Sequence, residues 1–524
     1  MSETGVGYVY GETFGSRRVV YSVRDGLAVL EGDIVLGPVA EVSARSALAI
    51  PGGRFRWPDG VVPYEIDRAL PDAQRSAVAE AVAHWNSFTR LAVVPRTSEP
   101  DYVRFVPAGG CTSMVGRQGG PQNLTLGTGC FFGQATHELG HAAGLWHEQS
   151  REDRDEFVRI VWENVDPAQR HNFDQHITDG DDVGPYDYGS IMHYPPVSFS
   201  INGQPTIVPL VEGAPIGQRE ALSAGDRAAL RVLYPSLEPS LGNTWTGSFS
   251  GNSAEVLYYL PSRRTWQLGS FATGALTWTV VGTGGSPGGV GDFNGDGLSE
   301  VLDASGRVGR LVEGQLSWAT GGPAAPGSLS WTGRFGGDAD QVLTHSPDDG
   351  SWWLGPFDWR PVGNTSGFTA DISTLFVGDV DGDGFDELLV EDGGEWWCAR
   401  FTGTEFEWSV VGPSQGAALG VTSRGLLASG SGSTWLGSLA DGALTWDAVE
   451  GAAPAGALVG GRYVAGPDGV WAFDGASWAP LGGGAADVVW ALPDGRVLSY
   501  SSLDASCRLY SAEDGWSLAS TFEA

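Results

Sequence analysis

The sequence contains no lysine. All 30 basic residues are arginine, and 63 aspartates and glutamates outnumber them, leaving a formal charge of −33 and a pI near 4.4. A surface of that sign repels nucleic acids and anionic membranes, and it tolerates salt and cations. Solubility alone is the plainer reading of the same charge. Long apolar runs are also missing: no window approaches eighteen apolar residues, so a membrane-spanning helix is excluded. Cysteine is scarce, and four in 524 residues do not make a disulfide framework. Cys111 and Cys130 bracket a glycine-rich segment that suits one bridge, whereas Cys398 and Cys507 read as buried free thiols. The opening residues, MSETGVGYVYGETFGSRR, lack the basic, apolar and small-residue order of a secretory signal. Export by another route, a misplaced start codon and an intracellular location all stay open.

What the chain has is length, aromatic residues and repeats. With 41% apolar residues, 21 Trp and 21 Phe among them, it is expected to fold into two or three domains. Residues 1–47 read as short strands joined by turns, and a compact domain is expected over 48–234. RWPDGVVPYEI enters that domain as a strand. LPDAQRSAVAEAVAHWNSF follows as an amphipathic helix, with Pro71 near its start and Val78, Val82 and Trp85 on one face. DYVRFVP and QNLTL read as strands and 134–144 as a second helix. LSAGDRAALRVLY closes the domain as a helix capped by Ser223, with Asp226 three residues on. PSLEPSLGN at 235–243 is the linker.

From 244 to 524 the texture changes to Gly, Trp and short β-prone runs, and it repeats. WTGSFSGNSAEVLYYL, GVGDFNGDGLSEVLD, WTGRFGGDADQVLTH and FVGDVDGDGFDELLV begin at 245, 289, 331 and 376, each followed by an aromatic-containing pair of strands. Three weaker units continue the pattern. About seven units of about 40 residues match the size of a four-stranded propeller blade, where radial closure hides the sheet edges. The repeats are degenerate, so six or eight blades stay open beside seven.

The segment THELGHAAGLWHE at 136–148 holds three of only 8 histidines. On a helix, His137 and His141 lie one turn apart on one face and can share a Zn²⁺ at about 2.0–2.1 Å each. Glu138 stands beside the first, where it reaches a water on the metal without binding the metal. Gly144 lets the chain leave the helix and bring His147 back as a third ligand. Three protein ligands leave the fourth position to a water whose pKa zinc lowers to about 7. Glu138 takes that proton and passes it to a leaving amine. The bland alternative is a pair of solvent-facing histidines, and the offsets of Gly144 and His147 weigh against it.

Those offsets, with Met192 about 45 residues after His147 in YDYGSIMHY, match the metzincin signature. With Glu148 after the third histidine, residues 48–234 closely resemble the astacin family of zinc endopeptidases. The resemblance runs in order through RWPDGVVPYEI, CTSMVGRQGGPQNLTLGTGC, HELGHAAGLWHEQSREDRDEFVRIVWENV, NFDQ, YDYGSIMHY and IGQREALSAGDRAALRVLY. It implies an α+β protease domain of two lobes around a zinc cleft. His137, His141 and His147 would hold one catalytic zinc, with Glu138 as general base. Tyr194 would ligate the metal at rest and swing away to stabilise the oxyanion. Met192 would form a hydrophobic base under the metal, and Glu148 would receive the mature amino terminus. Cys111–Cys130 matches one family disulfide, and SFTRLAVV lacks the cysteine for the other. The strand around GRQGG would pair with an extended substrate, and Arg219 would shape the pocket after the scissile bond toward acidic residues. LEGD at 30–33 resembles the family's propeptide motif, which makes Asp33 a latency ligand, against the alternative of an ordinary turn. Residues 1–47 are then a prosegment, with the mature start near Leu48 and Arg45 the nearest basic residue for processing.

Two acidic loops, DFNGDGLSE (292–300) and DVDGDGFDE (379–387), carry alternate oxygen side chains, a turn glycine and a late carboxylate that suit Ca²⁺. Strand-like residues follow at once, so the loops resemble FG-GAP or VCBS-type propeller repeats rather than EF-hands. The expected ligands are Asp292, Asn294, Asp296 and Glu300 in one loop and Asp379, Asp381, Asp383 and Glu387 in the other, against empty acidic turns. The sequence thus reads as multidomain, an α+β metzincin protease domain followed by an all-β propeller of seven blades. The expected protein is a monomeric, secreted zinc endopeptidase, made as a zymogen, that cleaves proteins or peptides. Its calcium-stabilised propeller would target a surface protein or glycan. The alternatives are an adhesion or binding protein whose protease-like domain is permanently blocked, and a cytoplasmic location.

Overall fold

The computed structural model describes residues 4–11, 15–44, 53–175, 182–240, 242–252, 254–271, 275–320, 327, 329–364, 372–422, 424–430, 433–450, 454, 458–459, 461–502 and 504–521. One compact unit ends at Glu238 and a second begins at Pro239. The expected processing region, with Arg45 and Leu48, lies outside the described residues.

The first unit opens with an antiparallel meander of β1 (Thr4–Gly11), β2 (Gly15–Arg24), β3 (Leu27–Leu30) and β4 (Ile34–Pro38), in that order. A short helix, α1 (Val39–Ala44), follows, which the turn-rich sequence does not announce. The alternation of β2 to β4 puts Tyr21, Ala28, Leu30, Ile34 and Leu36 on one face, where they pack with Val115 and Trp146. The meander is therefore docked through its apolar side, as a one-faced sheet must be.

Four parallel strands follow, in the order β6 (Ala92–Pro95), β5 (Val61–Ile66), β7 (Tyr102–Pro107), β8 (Pro121–Leu126). Helix α2 (Asp72–Phe88) starts directly after Pro71 and buries Ala77, Val78, Ala81 and Trp85. Beyond β8, Thr112 pairs antiparallel with Thr125, and Ser113 pairs parallel with Ile34. The N-terminal meander thus closes the sheet edge: Ser113 N–H donates to the Asp33 carbonyl at 3.0 Å and Val35 N–H to the Ser113 carbonyl at 2.7 Å. The strand expected around GRQGG is absent. Gly116, Gly119 and Gly120 have φ of 69°, 84° and 71°, which break an extended run, and the N–H groups of Gly116 and Arg117 donate to His141 and Phe55.

Helix α3 (Phe132–Ala143) is held by three buried aromatic donors. Trp85 reaches the Thr136 carbonyl at 3.2 Å, Trp57 the Ala142 carbonyl at 2.8 Å and Tyr234 the Ala143 carbonyl at 2.9 Å. The last two satisfy carbonyls that the helix end leaves without intrahelical partners, each of which would cost about 1–3 kcal/mol if buried alone. A two-stranded sheet, β9 (Val158–Ile160) with β10 (Ile207–Pro209), and helix α4 (Ala224–Leu233) complete the unit. Ser223 and Asp226 cap α4 reciprocally, as their spacing predicts.

Among the described residues, the second unit holds seven four-stranded antiparallel meanders, over 244–283, 287–320, 329–364, 376–413, 417–449, 458–482 and 488–521. Burial is graded across the first of them: its second strand, Glu255–Leu260, is wholly buried, and most of its last, Thr277–Thr283, is exposed. Tryptophans bridge neighbouring sheets, Trp266 with Trp318 at 6.2 Å and Trp352 with Trp408 at 6.3 Å. Leu276 N–H of the first sheet donates to the Ala519 carbonyl of the last at 3.2 Å. Among the described residues, no helix is long and apolar enough to cross a membrane.

Candidate active site

Helix α3 ends where Gly144 turns left-handed, φ 109°, and its N–H returns to the His141 carbonyl at 2.8 Å. A side chain there would meet the Arg56 guanidinium at 2.9 Å. The turn carries His147 back beside His137 and His141, and all three are buried.

Each imidazole is held from behind. His137 Nδ1 lies 2.8 Å from the Ile191 carbonyl, His141 Nδ1 2.9 Å from the Leu145 carbonyl and His147 Nδ1 2.7 Å from Glu31 Oε2. These oxygens accept, so each Nδ1 carries a proton and each Nε2 is the ring nitrogen turned toward the other two. The three Nε2 atoms have no hydrogen-bond partner, nor does Asp33 Oδ1. They converge: Asp33 carboxylate oxygens stand 3.5, 3.8 and 3.3 Å from the Nε2 atoms of His137, His141 and His147. Three buried ring nitrogens and a carboxylate that face one another without hydrogen-bond partners are tolerable around a cation, and three imidazoles with one carboxylate suit Zn²⁺. Burial lowers His137 to about 4 and His141 well below its ordinary value, so both stay neutral donors. Burial acts the same way on His147, but the charges of Asp33 and Glu31 prevail and raise it to about 9.

Glu138 faces the same space. Its Oε2 has no hydrogen-bond partner, and burial, with the Asp33 charge, pushes its carboxyl well above the usual range against the pull of Arg219. A cavity of about 260 Å³ lies here, lined by Asp33, His137, Glu138, Tyr194, Phe199 and Arg219 among others. The Arg219 guanidinium is anchored on the carbonyls of His193 and Gln218, at 3.0 and 2.8 Å. Tyr194 stacks edge-on against His147 at 4.6 Å and donates its hydroxyl to the Glu31 carbonyl. Met192 is buried under α3 against Gly140.

Three contributors go beyond the sequence-based set. Glu31 sits two residues before Asp33 in LEGD, and that motif is its only signal. Asp226 reads from sequence as a cap, yet it also accepts from Ser190 Oγ at 2.6 Å and Ile191 N–H at 3.0 Å, fixing the carbonyl that orients His137. Gln149 accepts the Tyr194 N–H at 2.9 Å and carries no signal at all.

The profile of the peptidase family Astacin matches residues 51–235. High choriolytic enzyme 1 of Oryzias latipes is 39% identical over 215 residues, covering 39% of this chain and 77% of that protein. The chain belongs to the astacin family. The solved structure of that hatching enzyme zinc-protease aligns at 40% identity over 34% of this chain and 92% of its own, with a TM-score of 0.33. Zinc metalloproteinase nas-13 of Caenorhabditis elegans is 43% identical over 184 residues, 34% of this chain and 41% of the relative. Bone morphogenetic protein 1 of Xenopus laevis is 41% identical over 226 residues, 40% of this chain and 32% of the relative. The match therefore spans well under half the length of these last two.

Elsewhere in the astacin domain, Cys111 and Cys130 are joined in a disulfide. Glu148 accepts the Asp187 N–H at 2.7 Å, lies 3.7 Å from Arg151 and is pushed by burial to about 8. In the second unit Cys398 and Cys507 are free and buried. Asp379, Asp381 and Glu387 bring carboxylate oxygens within 4.8 Å of one another. Asp383 does not join them, and its Oδ1 accepts the Phe385 N–H at 2.8 Å. Asp292, Asp296 and Glu300 form no such carboxylate group among the described residues. Asp292 accepts N–H groups of its own turn, Asn294 donates to Glu300, and Arg310 pairs with Asp296 and Glu300 at 3.4 and 3.0 Å. Arg400 likewise pairs with Asp381 at 2.5 Å and lies 3.6 Å from Glu387, a contact the loop spacing does not foretell.

Proposed function

We propose that this astacin-family chain is a zinc endopeptidase that cuts internal peptide bonds of proteins and is held latent by residues 1–47. The observation that carries the reading is the convergence of three buried Nε2 atoms and the Asp33 carboxylate, with Glu138 Oε2 beside them and no hydrogen-bond partner for the nitrogens or for Glu138 Oε2. His137, His141 and His147 would hold the metal in the active protein, and Asp33 would join them in the latent one. When bound, zinc supplies a Lewis acid that acidifies water and polarises the scissile carbonyl.

The remaining steps fall to the chain's own groups. Loss of the prosegment frees the N–H and carbonyl of Ser113, which an extended substrate backbone can then pair with. It also frees the Tyr194 hydroxyl from the Glu31 carbonyl, leaving a phenol donor for the oxyanion. Glu138 accepts a proton at Oε2 and returns it to the leaving amine nitrogen, a task that its upward-shifted carboxyl suits. Met192 supports the histidines from below, and Glu148 awaits the new amino terminus.

Arg219 gives the cavity a cationic wall, so acidic residues are preferred after the scissile bond. In the chain that begins at residue 48, Arg219→Leu is expected to reduce that preference by roughly 10- to 100-fold, the worth of one hydrogen bond to a charged group. Mass spectrometry of fragments from an unfolded protein reads it. Cleavage confined to chain ends, or an unchanged preference, contradicts the assignment.

Residues 48–234 are the protease domain, 235–243 the linker and 244–524 a seven-bladed propeller that presents the enzyme to a surface protein or glycan in a secreted setting. Seven meanders and the hydrogen bond from last to first support closure of the ring. Calcium at 379–387 is supported by the three converging carboxylates, with Arg400 as competitor for the same oxygens. Added Ca²⁺ is then expected to raise the melting temperature of the second unit, and Asp381→Asn to remove the rise. No Ca²⁺ effect on the wild-type chain refutes it. The docked apolar face of the meander favours the second reading, a permanently blocked domain, and activity after removal of residues 1–47 decides between the two.

A further inference from the structure

We infer that Glu31 is a positioning residue for zinc in the latent chain: through His147 Nδ1 it makes the prosegment tighten the hold on the metal that the prosegment also covers. The inference rests on the zinc and prosegment reading above and adds a second prosegment carboxylate to it.

The three histidines are not held alike. His137 and His141 lean on carbonyls of the protease domain itself, Ile191 and Leu145, which stay when the prosegment leaves. His147 leans on a carboxylate from the prosegment, 2.7 Å away and 1% exposed. An anionic acceptor on Nδ1 fixes the tautomer and ring orientation and makes Nε2 a stronger donor to a metal. Such a charge-assisted bond is about twice as strong as one to a neutral carbonyl. A carboxylate this buried is costly unless paired, and an imidazole polarised by a cation is the partner that repays it.

The backbone at this point is bent for the purpose. Glu31 has φ 49° and Gly32 φ 83°, two successive left-handed residues. The non-glycine one is strained there and persists only where its surroundings hold it. The turn delivers three groups to the site together: the Glu31 carboxylate to His147, the Glu31 carbonyl to the Tyr194 hydroxyl, and the Asp33 carboxylate to the ring of Nε2 atoms. A Cβ at Gly32 would stand 2.7 Å from the Phe199 ring, so the bend admits only glycine there. An ordinary turn presenting Asp33 alone would need neither the buried glutamate nor the strain. The consequence is an order of events: the latent chain captures zinc, and processing removes both Asp33 and the support behind His147, so the active form holds zinc less tightly.

The test is competition for zinc against a chelator of known affinity in the full-length chain. Glu31→Gln keeps length and shape but removes the charge. It is expected to weaken zinc by about 10-fold or more, the usual cost of losing such an outer partner, and to shift the absorption bands of the cobalt-substituted protein at saturating metal. Asp33→Asn, which leaves Glu31 in place, should weaken zinc without the His147 effect. A variant-free check follows the imidazole N–H signals of zinc-loaded wild-type chain with labelled histidines. One strongly downfield Nδ1–H is expected to vanish when residues 1–47 are removed, while the two backed by carbonyls stay. Unchanged zinc affinity and cobalt spectrum in Glu31→Gln, or three unaffected N–H signals on trimming, overturn the inference and leave the zinc reading standing. A wild-type chain that takes up no zinc overturns both.

Discussion

In the chain that begins at residue 48, Glu138→Gln is expected to lower kcat/KM for a protein substrate by about 10²- to 10⁴-fold, the usual worth of a positioned general base. One equivalent of zinc should stay bound, because Glu138 is not among the four residues whose donor atoms converge. Glutamine has the same volume and α3 is held by Trp57, Trp85 and Tyr234, so melting should barely change. What is lost is the ability to take a proton from water and give it to the amine. Zinc lost together with activity would mark Glu138 as a ligand, and activity kept would place the base elsewhere.

Asp33→Ala in the full-length chain is expected to release activity that the wild-type chain lacks. Asp33 brings its oxygens within 3.3–3.8 Å of the three histidine Nε2 atoms. Removing one partner of a buried charged group costs about 3–5 kcal/mol, which shifts the docked-to-open ratio of the prosegment roughly 10²- to 10⁴-fold. Release should be incomplete. Tyr21, Leu30, Ile34 and Leu36 still pack with Val115, and Val35 still pairs with Ser113. Activity of the variant is therefore expected between that of the wild-type chain and that of the chain trimmed to residue 48, in a fluorescence assay with a quenched protein. A variant as silent as wild type would show that the meander, not Asp33, blocks the cleft.

The candidate site was legible where chemistry depends on spacing within one element. His137 and His141 share a helix face, Gly144 and His147 follow at offsets set by a left-handed exit, and each ends where those offsets require. Glu31 was not legible, since its role needs a left-handed residue that no propensity assigns to glutamate. Asp226 was visible only as a cap, because its bonds to Ser190 and Ile191 span distant parts of the chain. The reading of GRQGG as a strand failed on three glycines whose positive φ bends the segment. In the second unit the aromatic repeats foretold the run of four-stranded sheets, since each repeat buries one set of strands. The arginine partners of the acidic loops were not legible there, because Arg310 and Arg400 come from neighbouring strands that loop spacing does not report.

The most direct measurement compares the full-length chain with one that begins at residue 48, each on an unfolded, dye-quenched protein, with and without a zinc chelator. Cleavage by the trimmed chain alone is expected, abolished by the chelator and restored by zinc. Failure of the trimmed chain to cleave while it holds one equivalent of zinc would contradict the claim that this is a latent zinc endopeptidase.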